Sequence, residues 1–155
     1  MSYIVRGLDP APFLQFFGLS DEELAERGVV RMTVTEKPSF PCRVSLTDRE
    51  IGERVLLLNH VSHDVANPYR ASHAIFVTEC PEPAAEFVDE VPPVFGPRVL
   101  SLRGFDKDGM MAEAVIAQPG EADSAIRKLF ENDAIETIHV HNASRGCFAA
   151  KVERN

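Results

Sequence analysis

The stretch Ile138-His139-Val140-His141-Asn142-Ala143-Ser144-Arg145-Gly146-Cys147-Phe148 carries two of the five histidines and one of the three cysteines around a turn. Ile138 and Val140 alternate with Thr137, His139 and His141, while Phe148, Ala150 and Val152 alternate with Cys147, Ala149, Lys151 and Glu153. Period-2 alternation on both sides of a turn signal predicts a β-hairpin over Glu136–Glu153. Burying both apolar sets together requires even-numbered residues to oppose even-numbered ones, since a one-residue slip turns one set outward. A three-residue loop, Ser144-Arg145-Gly146, meets that requirement, with Gly146 at the position that wants a positive φ. Cys147 then lies diagonally beside His141, roughly 7 Å away between strand positions. His139, His141 and Cys147 are expected on one face, with Ile138, Val140, Phe148 and Val152 on the other.

Upstream, Glu121–Asn132 is the clearest helix, because Ala122, Ala125, Ile126, Leu129 and Phe130 form one apolar stripe. Strands are expected at Tyr3–Val5, Val30–Val34, Arg43–Leu46, Arg54–Asn59, His73–Thr78, Val99–Gly104 and, after the Asp106–Gly109 turn, Met110–Ala117. Two short helices belong near the start. One begins at Asp9-Pro10 and runs to Phe17; the other is capped by Ser20 with Glu23 reciprocating and stops at Gly28. His60–Tyr69 reads as a polar loop, and Cys80–Pro97, with five prolines, as a long loop. Strands outnumber helices and do not alternate with them strictly. The expectation is one α+β domain over residues 1–155, with a mostly antiparallel sheet of five or more strands.

Composition narrows the function classes. A hydrophobic fraction of 45% with 26% charged residues is ordinary for a folded chain of 155 residues. Sixteen Lys plus Arg against 24 Asp plus Glu give a net charge of −8, which argues against nucleic acid as partner. The apolar runs Val55–Leu58 and Ala74–Val77 are too short to span a bilayer, and Met1–Gly7 lacks the parts of a signal peptide. Cys42, Cys80 and Cys147 are odd in number and form no C-x-x-C pair, so a disulfide framework is not expected. The expected location is the cytoplasm.

Three chemistries compete for the hairpin. In the first, His139 and His141 hold a divalent metal ion, with Cys147 or another histidine completing the set. The comparison with the double-stranded β-helix metal motif fails: Asp133 and the Asn142–Arg145 turn stand where that motif has Gly and Glu. In the second, Cys147 is a nucleophile with His141 and His73 as its partners. In the third, Arg43, Arg70 and Arg145 converge, with Asn142 and Ser144 adding donors, to grip a small anion. Each has a plain rival: a solvated strand face, a small core thiol, or surface ion pairs contributing about 0–1 kcal/mol each. The preferred reading is a small-anion-binding cleft that uses His/Cys chemistry, with no activity class assigned. The alternative is a non-catalytic interaction module, a homodimer formed through a sheet face or the proline-rich loop.

Four segments together resemble a known family: Arg6-Gly7-Leu8-Asp9, Pro41-Cys42-Arg43-Val44-Ser45-Leu46, Tyr69-Arg70-Ala71-Ser72-His73-Ala74-Ile75-Phe76-Val77, and His141-Asn142-Ala143-Ser144-Arg145-Gly146-Cys147. They are similar to the bacterial domain of unknown function 1203 family of uncharacterised single-domain proteins. The resemblance implies a bacterial, cytosolic origin and brings no activity, cofactor or catalytic residue with it.

Overall fold

The computed structural model describes Met1–Asn155 and shows an α+β fold with two antiparallel sheets. Nine strands form: β1 (Tyr3–Arg6), β2 (Val30–Thr33), β3 (Arg54–His63), β4 (Ala71–Thr78), β5 (Glu86–Val88), β6 (Leu100–Phe105), β7 (Met111–Ala117), β8 (Thr137–Asn142) and β9 (Phe148–Arg154). Two α-helices accompany them, α1 (Asp21–Glu26) and α2 (Ala122–Leu129). The larger sheet has the order β5-β1-β9-β8-β6-β7, and the smaller is β2-β3-β4. No helix is long and apolar enough to cross a membrane.

The even-numbered side of β8 and β6 builds the main core. Ile138, Val140, Leu100 and Leu102 pack with Ala150 and Val152 of β9, and the α2 stripe of Ile126, Leu129 and Phe130 covers them. The amphipathic helix read from the sequence thus finds its sheet. A second core sits on one face of β3–β4, where Leu56, Leu58, Ile75 and Val77 meet Phe13 and Leu24 from the N-terminal helical segments. The first of these segments is a 3-10 helix, Ala11–Phe16; the second is α1, with the Ser20/Glu23 capping box formed.

Three expectations need correction. Arg43–Leu46 is a buried turn, closed by Leu46 N–H donating to the Cys42 carbonyl at 2.9 Å. Its apolar residues are buried by the approach of β4 and the N-terminus, so their alternation carries no strand. β3 runs four residues beyond Asn59, through His63, because His60 and His63 face protein where a loop would face water. Within Cys80–Pro97, β5 pairs with β1 and a 3-10 turn buries Val94 and Phe95.

The hairpin differs from its expected register near the turn. Ile138 pairs with Val152 and Val140 with Ala150, the even-to-even pairing; His141, however, pairs with Phe148. The loop is one residue longer than expected: Asn142 N–H donates to the Cys147 carbonyl (2.9 Å), so Ala143–Gly146 form the turn, with Gly146 at φ 77°. A bulge at Ala149 then restores parity. Phe148 therefore sits on the His141 side, away from Val140. Cys147 pairs with Asn142, and Asn142 Nδ2 donates to its Sγ at 3.4 Å, so Cys147 leaves the face that carries His139 and His141.

Gly7 shows how tightly the Arg43 turn is clamped. A Cβ at Gly7 would lie 1.9 Å from the Val44 carbonyl oxygen. Gly7→Ala must push backbone from backbone, and a loss of about 2–3 kcal/mol is expected. The urea midpoint should fall with the m-value unchanged; an unchanged midpoint would refute the clamp.

Candidate functional site

All five histidines of the chain meet in one seam between the two sheets. His60 and His73 are cross-strand partners on β3–β4, and a bulge between Val61 and His63 swings His63 to the same side. Facing them, His139 and His141 project from β8. The rings of His63 and His139 lie 4.9 Å apart, those of His73 and His141 4.8 Å apart, both edge-to-face. Phe148 fills the middle, with ring centroids 5.9, 5.5 and 5.8 Å from His60, His139 and His141. Phe105 closes the far end against His63 and His139. Each bulge thus turns one ring, His63 or Phe148, into the seam.

The imidazoles make hydrogen bonds without carboxylate partners. His141 Nδ1 lies 2.9 Å from the Gly146 carbonyl, so that nitrogen carries the proton and donates. His63 Nε2 lies 2.9 Å from the Gly109 carbonyl and donates likewise, and His73 Nδ1 contacts Ser62 Oγ at 3.3 Å. Burial, then the neighbouring His63, pulls the His139 pKa down to about 3. His141 falls to about 4, chiefly through burial. Burial also lowers His60 and His73.

The seam opens at its His73 end into a cleft of about 850 Å³ between the edge of β4 and the β8–β9 turn. His73, Arg43, Arg98, Asn142, Ser144, Arg145 and Cys147 line it. Arg43 is the unusual member: only 2% exposed, it has no acidic partner. Its Nε donates to the Phe148 carbonyl (2.8 Å), Nη1 to the Pro41 carbonyl (2.6 Å) and Nη2 to Cys147 Sγ (3.2 Å). A guanidinium has five N–H donors, so two remain without a partner in the protein. Burial holds the Arg43 pKa below its ordinary range. Arg98 is committed to a bidentate pair with Asp48, at 2.7 and 2.8 Å.

Of the residues singled out from sequence, His73, Arg43, Asn142, Arg145 and Cys147 come together in the cleft. His141 stands directly behind His73. Arg70 does not join them; it is exposed at the far end of the β3–β4 hairpin and pairs with Asp64. The metal reading loses its third ligand. His139 and His141 face different histidines, Cys147 lies across the ladder, and no three His, Cys, Asp or Glu side chains are grouped to hold an ion. Sequence reading passed over Arg103, the partner of His139 across β6–β8, whose charge also bears on His73 and His141. Its odd-numbered place beside Ser101 and Phe105 was the available signal. His60 and His63 read as a solvated loop in sequence because their H-x-x-H spacing hides a bulge.

Acid should loosen this seam. Well above pH 6.5 His139 and His141 are neutral in both folded and unfolded chains, so they add no pH dependence. Below it the unfolded chain takes up protons that folded His139 and His141 refuse, and stability falls by about 1.4 kcal/mol per pH unit for each ring. Urea unfolding between pH 6.5 and 5 should show that slope, and His139→Phe should remove one proton's share. An unaltered slope in the variant would refute the assignment.

No curated protein and no solved structure matches the chain. Residues 39–154 match the model of the family described as "Protein of unknown function (DUF1203)". That span holds the Arg43 turn, the whole histidine seam and every residue of the cleft named above, and the chain belongs to this family.

Proposed function

We propose that this protein binds a small anion, a ligand bearing carboxylate or phosphate, in the cleft between β4 and the β8–β9 turn. The observation that carries the reading is Arg43: a buried cation, two unspent N–H donors, and no acid of the protein beside it. A buried charge without a counter-charge is costly, and an anion in the cleft supplies one. Arg145 stands exposed on the rim without an ion pair, ready to close on a second oxygen, and Asn142 and Ser144 add neutral donors. His73 brings a neutral imidazole to the same wall. The chain's net charge of −8 makes this concentration of unpaired cations a local exception. The three free thiols support a reducing, cytoplasmic setting.

Thermal unfolding at constant ionic strength tests the reading with inorganic phosphate and with malonate. A ligand at ten times its Kd stabilises by about 1.4 kcal/mol, worth roughly 3–6 °C in Tm for a chain of this size. Arg145→Ala should cut the rise by more than half, whereas Arg70→Ala should leave it intact. Equal rises in both variants, or no rise with either anion, would overturn the proposal.

A further inference from the structure

We propose that Cys147 is a nucleophile of this cleft, selective for small electrophiles that carry a carboxylate beside the reacting carbon. This deepens the anion-binding reading and rests on it. The Cys147 sulfur receives N–H groups from Arg43 Nη2 and Asn142 Nδ2, at 3.2 and 3.4 Å, and remains partly exposed on the cleft wall. The buried Arg43 has further N–H donors to spend, and Arg145 lies on the same wall. A carboxylate gripped by these two arginines sets its α-carbon next to Sγ, the condition for an effectively intramolecular attack. In the step, the Sγ–C bond forms as the bond from that carbon to its leaving group breaks. The leaving group departs with the electron pair, and the thiol proton goes to water. The other two cysteines lack this setting. Cys42 is buried and accepts the Thr78 N–H, and Cys80 is exposed in an acidic segment between Glu79 and Glu82.

Iodoacetate and iodoacetamide differ in charge and little in size, so the ratio of their rates at one thiol cancels that thiol's ionisation. The folded protein is labelled with each reagent, and the rates at Cys147 and Cys80 are read separately by peptide mass spectrometry. The iodoacetate-to-iodoacetamide ratio should be at least tenfold higher at Cys147 than at Cys80. Arg145→Ala should lower the Cys147 ratio at least threefold. Inorganic phosphate should slow iodoacetamide labelling at Cys147 and spare Cys80. A Cys147 ratio equal to that of Cys80, or a Cys147 that stays unlabelled in the folded protein, overturns the proposal. If phosphate still raises Tm in an Arg145-dependent way, that failure leaves the anion site standing. If phosphate neither stabilises nor protects and the ratios are equal, both fall together.

Discussion

The side chain of Arg43 joins the two sheets, and the rest of the site depends on that junction. Its backbone N–H donates to Phe76 of β4, its carbonyl accepts from Leu8, and its guanidinium reaches the Phe148 carbonyl at the start of β9. A hydrogen bond from a charged group contributes about 1.5–3 kcal/mol net, so this contact is strong for a single side chain. It is also directional. The Phe148 carbonyl is turned towards Arg43 where the hairpin ladder is irregular, beside the Ala149 bulge. The bulge that seats the Phe148 ring among the histidines thus also offers its carbonyl to the arginine.

The histidine seam follows from what two sheets need where they meet obliquely. Leu56, Leu58, Ile75 and Val77 cover one end of the β3–β4 face, where the N-terminal helices make a dry core. Further along the same face the partner is β8, with the carbonyls of Gly109 and Gly146 in turns at its two opposite ends. An aliphatic side chain there would bury those acceptors unpaired, at about 1–3 kcal/mol each. Imidazole presents an edge of carbon to Phe105 and Phe148 and one N–H to a carbonyl, which suits the boundary. At His139 and His141 the arrangement holds only while the rings are neutral. Arg103 and Arg43 add positive potential that disfavours a charged ring at His141 and His73.

Much of the architecture was legible in local pattern. The α2 stripe, the Ser20 capping box and the alternation in β6 and β8 each reflect a burial choice made within a few residues. Even-to-even parity followed from the alternations in β8 and β9. The particular partners, Ile138 with Val152 and Val140 with Ala150, came from the expected three-residue loop, and they survive because the Ala149 bulge offsets the fourth loop residue. What escaped was whatever a bulge decides. One extra residue at Ala149 moved Phe148 across the sheet, and one at Ser62 placed His63 beside His60 on a shared face. No alternation rule anticipates such a residue, because its benefit lies in contacts with a distant element. For the same reason the arginines were half legible. Arg43 and Arg145 sit near chain turns that the fold gathers, while Arg70, equally close to a strand end, is carried by its hairpin to the opposite extremity and meets Asp64.

The placement of acids explains why a cation-rich cleft survives in so acidic a chain. Asp48 is held by Arg98, Glu79 by Arg31 and Glu53 by Arg49, each at 2.6–2.7 Å. These pairs ring the smaller sheet and its turns, whereas Glu36, which lines the cleft, has no arginine partner. Asp48 is the closest case, since its partner Arg98 itself lines the cleft. Arg98 keeps Asp48 bound and leaves the wall with Arg43 and Arg145 as its unpaired cations. Electrostatic attraction between groups a few ångströms apart outweighs the screened field of distant surface acids. On the proposed reading a small anion in the cleft would meet Arg43 and Arg145, with Glu36 the one carboxylate of the lining, despite the net charge of −8. The buried guanidinium is fixed in place by two carbonyls before any ligand arrives, so binding need not order it.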